Sequence, residues 1–308
     1  MISGFMIVKD VLKQGYPFVE SIASALPICD EFLISDGYSQ DGTYEVIQKI
    51  AILNPKVKVF RDPWPNKKNV TVLTDVTNIL RARCHCDYIF LVQANEVIHE
   101  QSAPLIKAFP KIFPQVDTFS FAFIQFVDKY KFAEGFRLRL AKNYPRIVAK
   151  GDAWTLGTSD EFNRAKILRS LIRPRRFYYY LAKGVEFVHA NPSYDYLSRA
   201  MYLPNPIFRY WALFPRDFIE KCRRHGELFQ MAKFAKSYEE LERKVDDPKV
   251  FWPLAVEFLE HTKDQQYPKP FDTIEVKDHP AIMQEFISNS KAQKYYVREE
   301  IYEKIKTL

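Results

Sequence analysis

Glu31-Phe32-Leu33-Ile34-Ser35-Asp36-Gly37-Tyr38-Ser39-Gln40-Asp41-Gly42-Thr43 is the stretch whose reading decides the fold. Its first five residues read as a buried strand, which delivers Asp36 to its carboxyl end. The small polar residues that follow favour a turn. Asp41 is placed to cap a helix. Beyond Gly42-Thr43, an apolar stripe of Val46, Ile47 and Ile50 recurs at helical spacing, and Asn54-Pro55 ends it.

The same alternation extends in both directions. Upstream, Phe5 to Val8 is a short apolar strand opening on Lys9 and Asp10. Phe18, Val19, Ile22, Ala23 and Leu26 then recur with helical period. Downstream, Val57 to Phe60 alternates as a third strand, Thr74 to Cys84 reads as a helix, and Asp87 to Val92 as a fourth strand. Near-continuous apolar strands separated by helices predict an α/β protein with a mostly parallel sheet covered on both faces. Ligands of such sheets collect at the strands' carboxyl ends. Here those ends carry Lys9-Asp10, Asp36, Arg61-Asp62 and Gln93-Ala94-Asn95-Glu96.

The pattern then changes. Ala103 to Ile112 reads as a short helix, and Thr118 to Val127 and Arg137 to Val148 as longer, antiparallel strands. Gly151 to Glu161 is a polar loop, Arg164 to Ile172 a basic helix and Gly184 to His189 a last strand. Helices are expected from Arg216 onward, with a proline-interrupted stretch between Pro253 and Pro280.

The chain has 308 residues, 47% hydrophobic and 27% charged, which is the profile of a soluble globular protein. No apolar run is long enough to span a bilayer. The first ten residues lack a charged leader and apolar core, so no signal peptide is expected. Four cysteines make no disulfide framework, and a cytoplasmic location, with access to the inner membrane face, is the expectation. A net charge of +7 favours anionic partners without choosing among them. No nucleic-acid module accompanies that charge, so nucleic acid is not expected as a partner.

Several motifs leave two readings open. Asp36 either accepts hydrogen bonds from a ligand or caps a turn. Cys84-His85-Cys86 lacks a second ligand pair at zinc spacing, so buried cysteines are expected. Trp64 either walls a pocket or packs a rigid Asp62-Pro63-Trp64-Pro65 turn. His189 is either structural or part of a diphosphate site. Arg164, Lys166, Arg169, Arg173, Arg175 and Arg176 form a run without acids, interleaved with Ile167, Leu168, Leu171 and Ile172. It reads either as an amphipathic helix near an anionic acceptor or membrane surface, or as a helix with a solvated basic face. No Gly-x-Gly-x-x-Gly follows the first strand, which disfavours a dinucleotide-dependent oxidoreductase. The glycine-rich, basic phosphate loop of a nucleotidyltransferase is missing there too.

The segment from Ile34 to Thr43 resembles the Val-Asp-Asp-Gly-Ser-Thr-Asp-Gly-Thr segment of glycosyltransferase family 2. Met6 to Asp10 resembles that family's first strand. Leu91 to His99 resembles a subgroup reading Leu-Gln-Ala-Asp-Glu-Val-Leu-His, in which Gln-Ala-Asp-Glu stands in place of Asp-x-Asp. Gly151-Asp152-Ala153 resembles a Gly-Asp-Ala loop of that subgroup. Tyr210-Trp211 resembles its aromatic Tyr-Gly-Trp segment, with Arg209 where that segment has His. The resemblance spans roughly the first 225 residues and is most specific over the first 100.

It implies a GT-A fold in residues 1–215, with 1–100 as the nucleotide-binding half and 101–215 as the acceptor half. Residues 216–308 would form a mainly helical extension. It also implies transfer of a sugar from a nucleotide-diphosphate donor to a hydroxyl acceptor, with inversion. The acceptor would be lipid-linked or a polysaccharide. Val8, Lys9, Asp10, Asp36 and Asn78 would belong to the nucleotide pocket. Gln93 and Asn95 would face the diphosphate, and Asn95 and Glu96 would hold a divalent cation, Mg or Mn. The departing diphosphate needs its charge neutralised by metal, Lys or Arg, and Lys67, Lys68 or Arg137 are local sources. The acceptor hydroxyl needs a carboxylate base. Asp152 is the preferred base, with Asp160 and Glu161 as competitors. Because Asn95 offers a neutral carbonyl where the subgroup has a carboxylate, a scaffold that binds without turnover is the alternative.

Overall fold

β1 (Ile2–Val8) lies between β2 (Glu31–Asp36) and β4 (Tyr88–Leu91) and is parallel to both. β3 (Val57–Arg61) continues the parallel half on the far side of β2. The computed structural model describes residues 1–65, 72–151, 153–159, 200–229, 242–261, 272–289 and 291–308.

The apolar runs form strands because both faces of this sheet are covered. Side chains alternate across a strand, so neighbouring residues enter different cores. Phe5, Leu33, Ile89 and Leu91 share one cluster, with Leu80 of α3 (Val72–Arg81) and Ile147 and Leu156. Met6, Val8, Ile34, Phe90 and Val92 share the other, with Phe18 and Ile22 of α1 (Phe18–Ala25) and Ile47 and Ile50 of α2 (Thr43–Leu53). Burying a large apolar side chain contributes about 1.5–3 kcal/mol, and most of these positions are almost wholly inaccessible.

The other half of the sheet is built of longer strands. β4 pairs antiparallel with β7 (Tyr130–Lys142), which pairs antiparallel with β6 (Thr118–Val127). β10 (Ala200–Ala212) runs parallel to β6 and carries β5 (Glu96–Ile98) on its outer edge. β11 (Asp272–Thr273) adds to the start of β7. β8 (Ile147–Lys150) and β9 (Thr155–Thr158) make a separate hairpin. α4 (Ala103–Ile112) joins β5 to β6.

The α/β class and the parallel order of the first four long strands agree with the sequence reading. Three details differ. The strand expected over Arg137 to Val148 is two strands, broken after Lys142. Asn143 turns away there and donates its amide to the carbonyls of Cys84 and Cys86 at 2.9 and 3.0 Å. The expected polar loop contains β9. β10 was not anticipated, because Pro204 and Pro206 interrupt its pattern. The backbone absorbs them in a register shift between Leu203 and Ile207. The expected basic helix at 164–172 and strand at 184–189 lie outside the described residues.

The described residues after 214 are mainly helical: α5 (Pro215–Phe229), α6 (Pro248–His261), α7 (Ala281–Ser288) and α8 (Glu299–Lys306). Met283, Phe286, Ile301 and Ile305 pack in the same core as Phe18 and Ile47. The Asn54 side chain donates to the Ile305 carbonyl at 2.8 Å, which ties α2 to α8. No described helix is long and apolar enough to cross a membrane.

Candidate functional site

The loops that leave β1 and β2 interlock. The backbone amide of Asp10 donates to Ser39 Oγ at 2.8 Å, and those of Val11 and Leu12 to Thr43 Oγ1 at 3.1 and 3.3 Å. The Lys13 amide donates to Asp41 Oδ2 at 2.7 Å, and the Gln40 amide returns to Asp10 Oδ1 at 2.8 Å. The polar residues of the 34–43 segment therefore satisfy the backbone of the neighbouring loop. Asp41 also accepts the Thr43 amide at 3.0 Å, at the start of α2. Asp10 and Tyr38 adopt left-handed backbone, with φ of 50° and 58°, which is uncommon outside glycine and concentrates at functional loops.

Asp36 is fully buried. Its carboxylate accepts the Ser39 amide at 3.2 Å and the Arg61 Nε at 3.2 Å. Arg61 in turn stacks over Tyr38 and Tyr44, 4.4 and 4.0 Å from the ring centroids. Gly37 follows because Trp64 lies against it: a Cβ there would sit 2.5 Å from the indole Nε1.

A cavity of about 410 Å³ opens at the carboxyl ends of β1 and β4, within the size range of ligand pockets. Lys9, Val11, Gln14 and Tyr16 line it from the first loop, and Trp64 from the turn after β3. Thr77 of α3 and Leu91 to Asn95 form its base, and Gln125 and Trp154 another wall. Arg209 and Trp211 of β10 and Lys221 of α5 close it. Among the described residues its charged lining is Lys9, Arg209 and Lys221, with no Asp, Glu, His or Cys. Three buried polar atoms of the lining have no hydrogen-bond partner among the described residues: the Gln93 Oε1, the Thr77 Oγ1 and the Trp64 Nε1. Buried polar atoms are ordinarily paired, so these mark an acceptor, a hydroxyl and a donor that a ligand or water would satisfy.

Gln93 to Glu96 divide their work. Gln93 lines the cavity, and its Nε2 donates to the Ala153 carbonyl at 3.0 Å. Asn95, 2% exposed, donates its Nδ2 to the Tyr210 carbonyl at 3.2 Å and accepts the Arg209 Nε on Oδ1 at 3.4 Å. Arg209 also donates to Gln125 Oε1 at 2.5 Å and stacks 4.7 Å from the Trp154 ring centroid. Glu96 does not reach the cavity. Both its carboxylate oxygens meet Arg139, at 2.5 and 3.0 Å, and neither side chain is more than 1% exposed. Mg²⁺ prefers charged oxygen ligands and substrate phosphates. Glu96 is neutralised by a guanidinium, and the Asn95 oxygen faces a second one. The described residues of this segment do not fit such a cation, and no group of three or more His, Cys, Asp and Glu able to hold a metal occurs among the described residues.

Ala153 is held against this base, where its carbonyl accepts the Gln93 side-chain amide. Ala153 adopts φ of 56°, and its amide donates to Thr74 Oγ1 at 3.0 Å. Asp152, Asp160 and Glu161 lie outside the described residues, as do Lys67, Lys68, His189 and the basic run from Arg164 to Arg176. Arg137 stacks on Trp154 at 4.4 Å without lining the cavity. Of the expected site residues, the structure brings Lys9, Gln93 and Asn95 together around the cavity. Val8, Asp10 and Asp36 build the framing loops behind it, the Val8 carbonyl accepting the Gly37 amide at 2.8 Å. Asn78 pins α3 to β8 by exchanging hydrogen bonds with Ala149, at 2.7 and 3.4 Å. Cys84 and Cys86 are buried, as expected.

Arg209, Trp211 and Lys221, with Gln14, Tyr16, Thr77, Gln125 and Trp154, are lining residues that the sequence reading did not assign to the site. Arg209 carried one signal, since it replaces the His of the resembled segment. Lys221 is 4% exposed and hydrogen-bonds the Tyr16 hydroxyl. Nearby, Gly15 has φ of 66°, and a Cβ there would overlap the Asp217 carboxyl at 2.0 Å. Burial holds that carboxyl well above the usual carboxylate range.

No family model matches the chain, and no curated protein matches it. Distant likenesses to solved structures exist. One is S. aureus TarS 1–349 in complex with UDP, with a TM-score of 0.37, 11% identity, and 86% of this chain and 72% of that one covered. Another is the Pyrobaculum calidifontis mannosyltransferase PcManGT in complex with GDP-Man and Mn2+, with a TM-score of 0.37, 11% identity, and 85% and 74% covered. The match to a longer TarS structure covers 41% of this chain and only 21% of that chain, at a TM-score of 0.29. At these TM-scores and identities the likenesses carry no argument about this chain.

Proposed function

We propose that the protein is a glycosyltransferase of GT-A type that takes a nucleotide-diphosphate sugar into this cavity and passes the sugar to an acceptor hydroxyl with inversion. The observation that carries the proposal is the cation-lined cavity at the carboxyl ends of β1 and β4, where an open α/β sheet keeps its ligand. The motif resemblance over the first 100 residues supports the sugar-nucleotide class.

In this reading the acceptor oxygen attacks the anomeric carbon while the bond from that carbon to the diphosphate oxygen breaks. The diphosphate leaves with the electron pair, and the hydroxyl proton passes to a carboxylate. We assign that base to Asp152, with Asp160 and Glu161 as alternates. Lys9, Gln93 and Asn95 face the donor, and Val8, Asp10, Asp36 and Asn78 hold the loops that frame it. We assign the acceptor to lipid-linked or polysaccharide hydroxyls, and the positive charge of the run from Arg164 to Arg176 favours an anionic one. The described oxygens of Asn95 and Glu96, each facing a guanidinium, do not fit the divalent cation that the resemblance implies.

A screen of UDP- and GDP-sugars by thermal shift, followed by mass spectrometry of the mixture with candidate acceptors, tests this. The expected result is stabilisation by one donor and its consumption by wild type, with Asp152→Asn binding the donor and not turning it over. Unchanged turnover by Asp152→Asn removes that residue as the base. The absence of a carboxylate among the described lining residues favours one second reading, a scaffold that binds the donor without transfer. Donor stabilisation with no consumption under any acceptor would favour it.

A further inference from the structure

A second cavity, of about 280 Å³, opens at the turn between β6 and β7. β6 runs in the same direction as β1 and β4, so this turn lies on the sheet edge that carries the first cavity. The two cavities share no described lining residue. Trp211 lines the first and Trp252 of α6 the second. Phe218 of α5 packs edge-on against both, 5.7 and 6.2 Å from their ring centroids.

Asp128 is the first residue of the turn, and it lines the second cavity. Its φ is 52°, at a position where two-residue hairpin turns favour glycine. No side chain among the described residues hydrogen-bonds its carboxyl. Burial pushes that group up to about 7, against the Lys129 charge and the Lys129 backbone amide. Neither the turn nor the packing calls for a carboxyl here, and one kept from water without a side-chain partner costs stability. Asn289 lines the same cavity. Its Oδ1 accepts the Lys291 amide at 3.2 Å, and its Nδ2 has no partner among the described residues.

The rest of the lining narrows the ligand. Lys129 and Lys249 set two ammonium groups against one carboxyl, which disfavours a cation. The Asp128 carboxyl disfavours an anion beside it. A neutral hexose ring meets both conditions. Its hydroxyls donate to a carboxyl oxygen and accept from an amide, and its C–H face is apolar enough to pack on the rings of Trp252, Tyr130 and Phe214. The volume lies at the lower end of the range for ligand pockets, which matches a single ring.

We infer that this second cavity binds one neutral sugar ring, with Asp128 and Asn289 taking its hydroxyls and the aromatic wall its C–H face. Sugar binding here does not depend on the function proposed above.

Saturation-transfer NMR of the full chain with the methyl glycosides of glucose, mannose, galactose and N-acetylglucosamine tests it, with glucuronate and glucose 1-phosphate as anionic counterparts. Binding of at least one neutral glycoside is expected. Asp128→Gly should weaken it about tenfold, the loss of one hydrogen bond to a charged group. The same variant should raise the melting temperature, because glycine suits the turn and the ill-paired carboxyl is gone. Asn289→Asp keeps the oxygen that accepts the Lys291 amide and removes the Nδ2 donor; as the second variant it should weaken binding likewise. Binding of no neutral glycoside, binding of the anionic probes alone, or binding unchanged by both variants overturns the inference. Spectra with UDP- and GDP-sugars separate it from the proposed function. Glycoside binding that Asp128→Gly abolishes, with no nucleotide bound, sustains this site and overturns the donor reading. Nucleotide binding with no glycoside bound does the reverse.

Discussion

Arg139 and Glu96 form a two-pronged ion pair in the protein interior, with Nη2 to Oε1 at 2.5 Å and Nε to Oε2 at 3.0 Å. The pair joins β7 to β5 beneath the cavity. Arg139 also donates to the Trp154 carbonyl at 2.7 Å, and Glu96 accepts the Gln93 amide at 3.1 Å. Removing one partner leaves the other charge buried and uncompensated, a loss of about 3–5 kcal/mol. Glu96→Gln and Arg139→Met are each expected to lower the unfolding free energy measured in urea by that amount. The double variant Glu96→Leu/Arg139→Met should recover most of it. Additive losses in the double variant would contradict the pairing.

The Thr43 hydroxyl is the hinge between the first two loops. Thr43→Val leaves the Val11 and Leu12 amides without their acceptor, a cost of about 1–3 kcal/mol. Hydrogen exchange at Val11 and Leu12 should accelerate while α2 beyond its first turn keeps its protection.

Gly37→Ala places a methyl carbon 2.5 Å from Trp64 Nε1, so the indole must leave its position. An overpacking cost of about 1–3 kcal/mol is expected. The affinity of the nucleotide donor proposed for the cavity should fall with it, since Trp64 lines the cavity. Tryptophan emission in the other three single-Trp backgrounds should be unaffected.

Two buried groups give opposite pH dependences. Burial raises the Glu20 carboxyl to about 7 even though Tyr295 donates to it at 2.8 Å. Its folded value exceeds its unfolded value, so its contribution is full below about 4.5 and is lost as pH rises through 7. Burial lowers His279, whose Nδ1 lies 3.0 Å from the Tyr210 hydroxyl, to about 4. Its contribution is full above about 6.5 and is lost as pH falls toward 4. Between these limits the two slopes oppose each other. The stability difference between wild type and Glu20→Gln should therefore fall by about 3 kcal/mol from pH 4.5 to 7. The difference for His279→Gln should rise over the same interval. A flat difference for either variant would exclude that group.

The first hundred residues were legible because their signals are local. The runs at Phe5, Phe32 and Phe90 read as strands on composition alone, and Asn54-Pro55 ends α2 in plain view. Trp64, Lys9, Gln93 and Asn95 could be placed at strand ends for the same reason. β10 was hidden by Pro204 and Pro206, because its stability comes from β6 and β5 and not from its own pattern. Glu96 read as a metal-capable carboxylate because Arg139, its partner, lies 43 positions away. Lys221 left no signal in spacing, since the helix that brings it to Tyr16 is positioned by long-range packing.

The interlock between residues 10–13 and 39–43 has a consequence for how a ligand is received. Those amides are already occupied, so this rim has little conformational entropy to lose on binding and cannot fold over an incoming molecule as a separate flap. The opposite rim is tied by side chains instead: the Ala153 amide rests on Thr74 Oγ1 and its carbonyl on Gln93 Nε2. Substitutions that broaden or narrow what the cavity accepts should be sought at Thr74, Gln93, Trp154 and on β10, not in the motif that first revealed the fold.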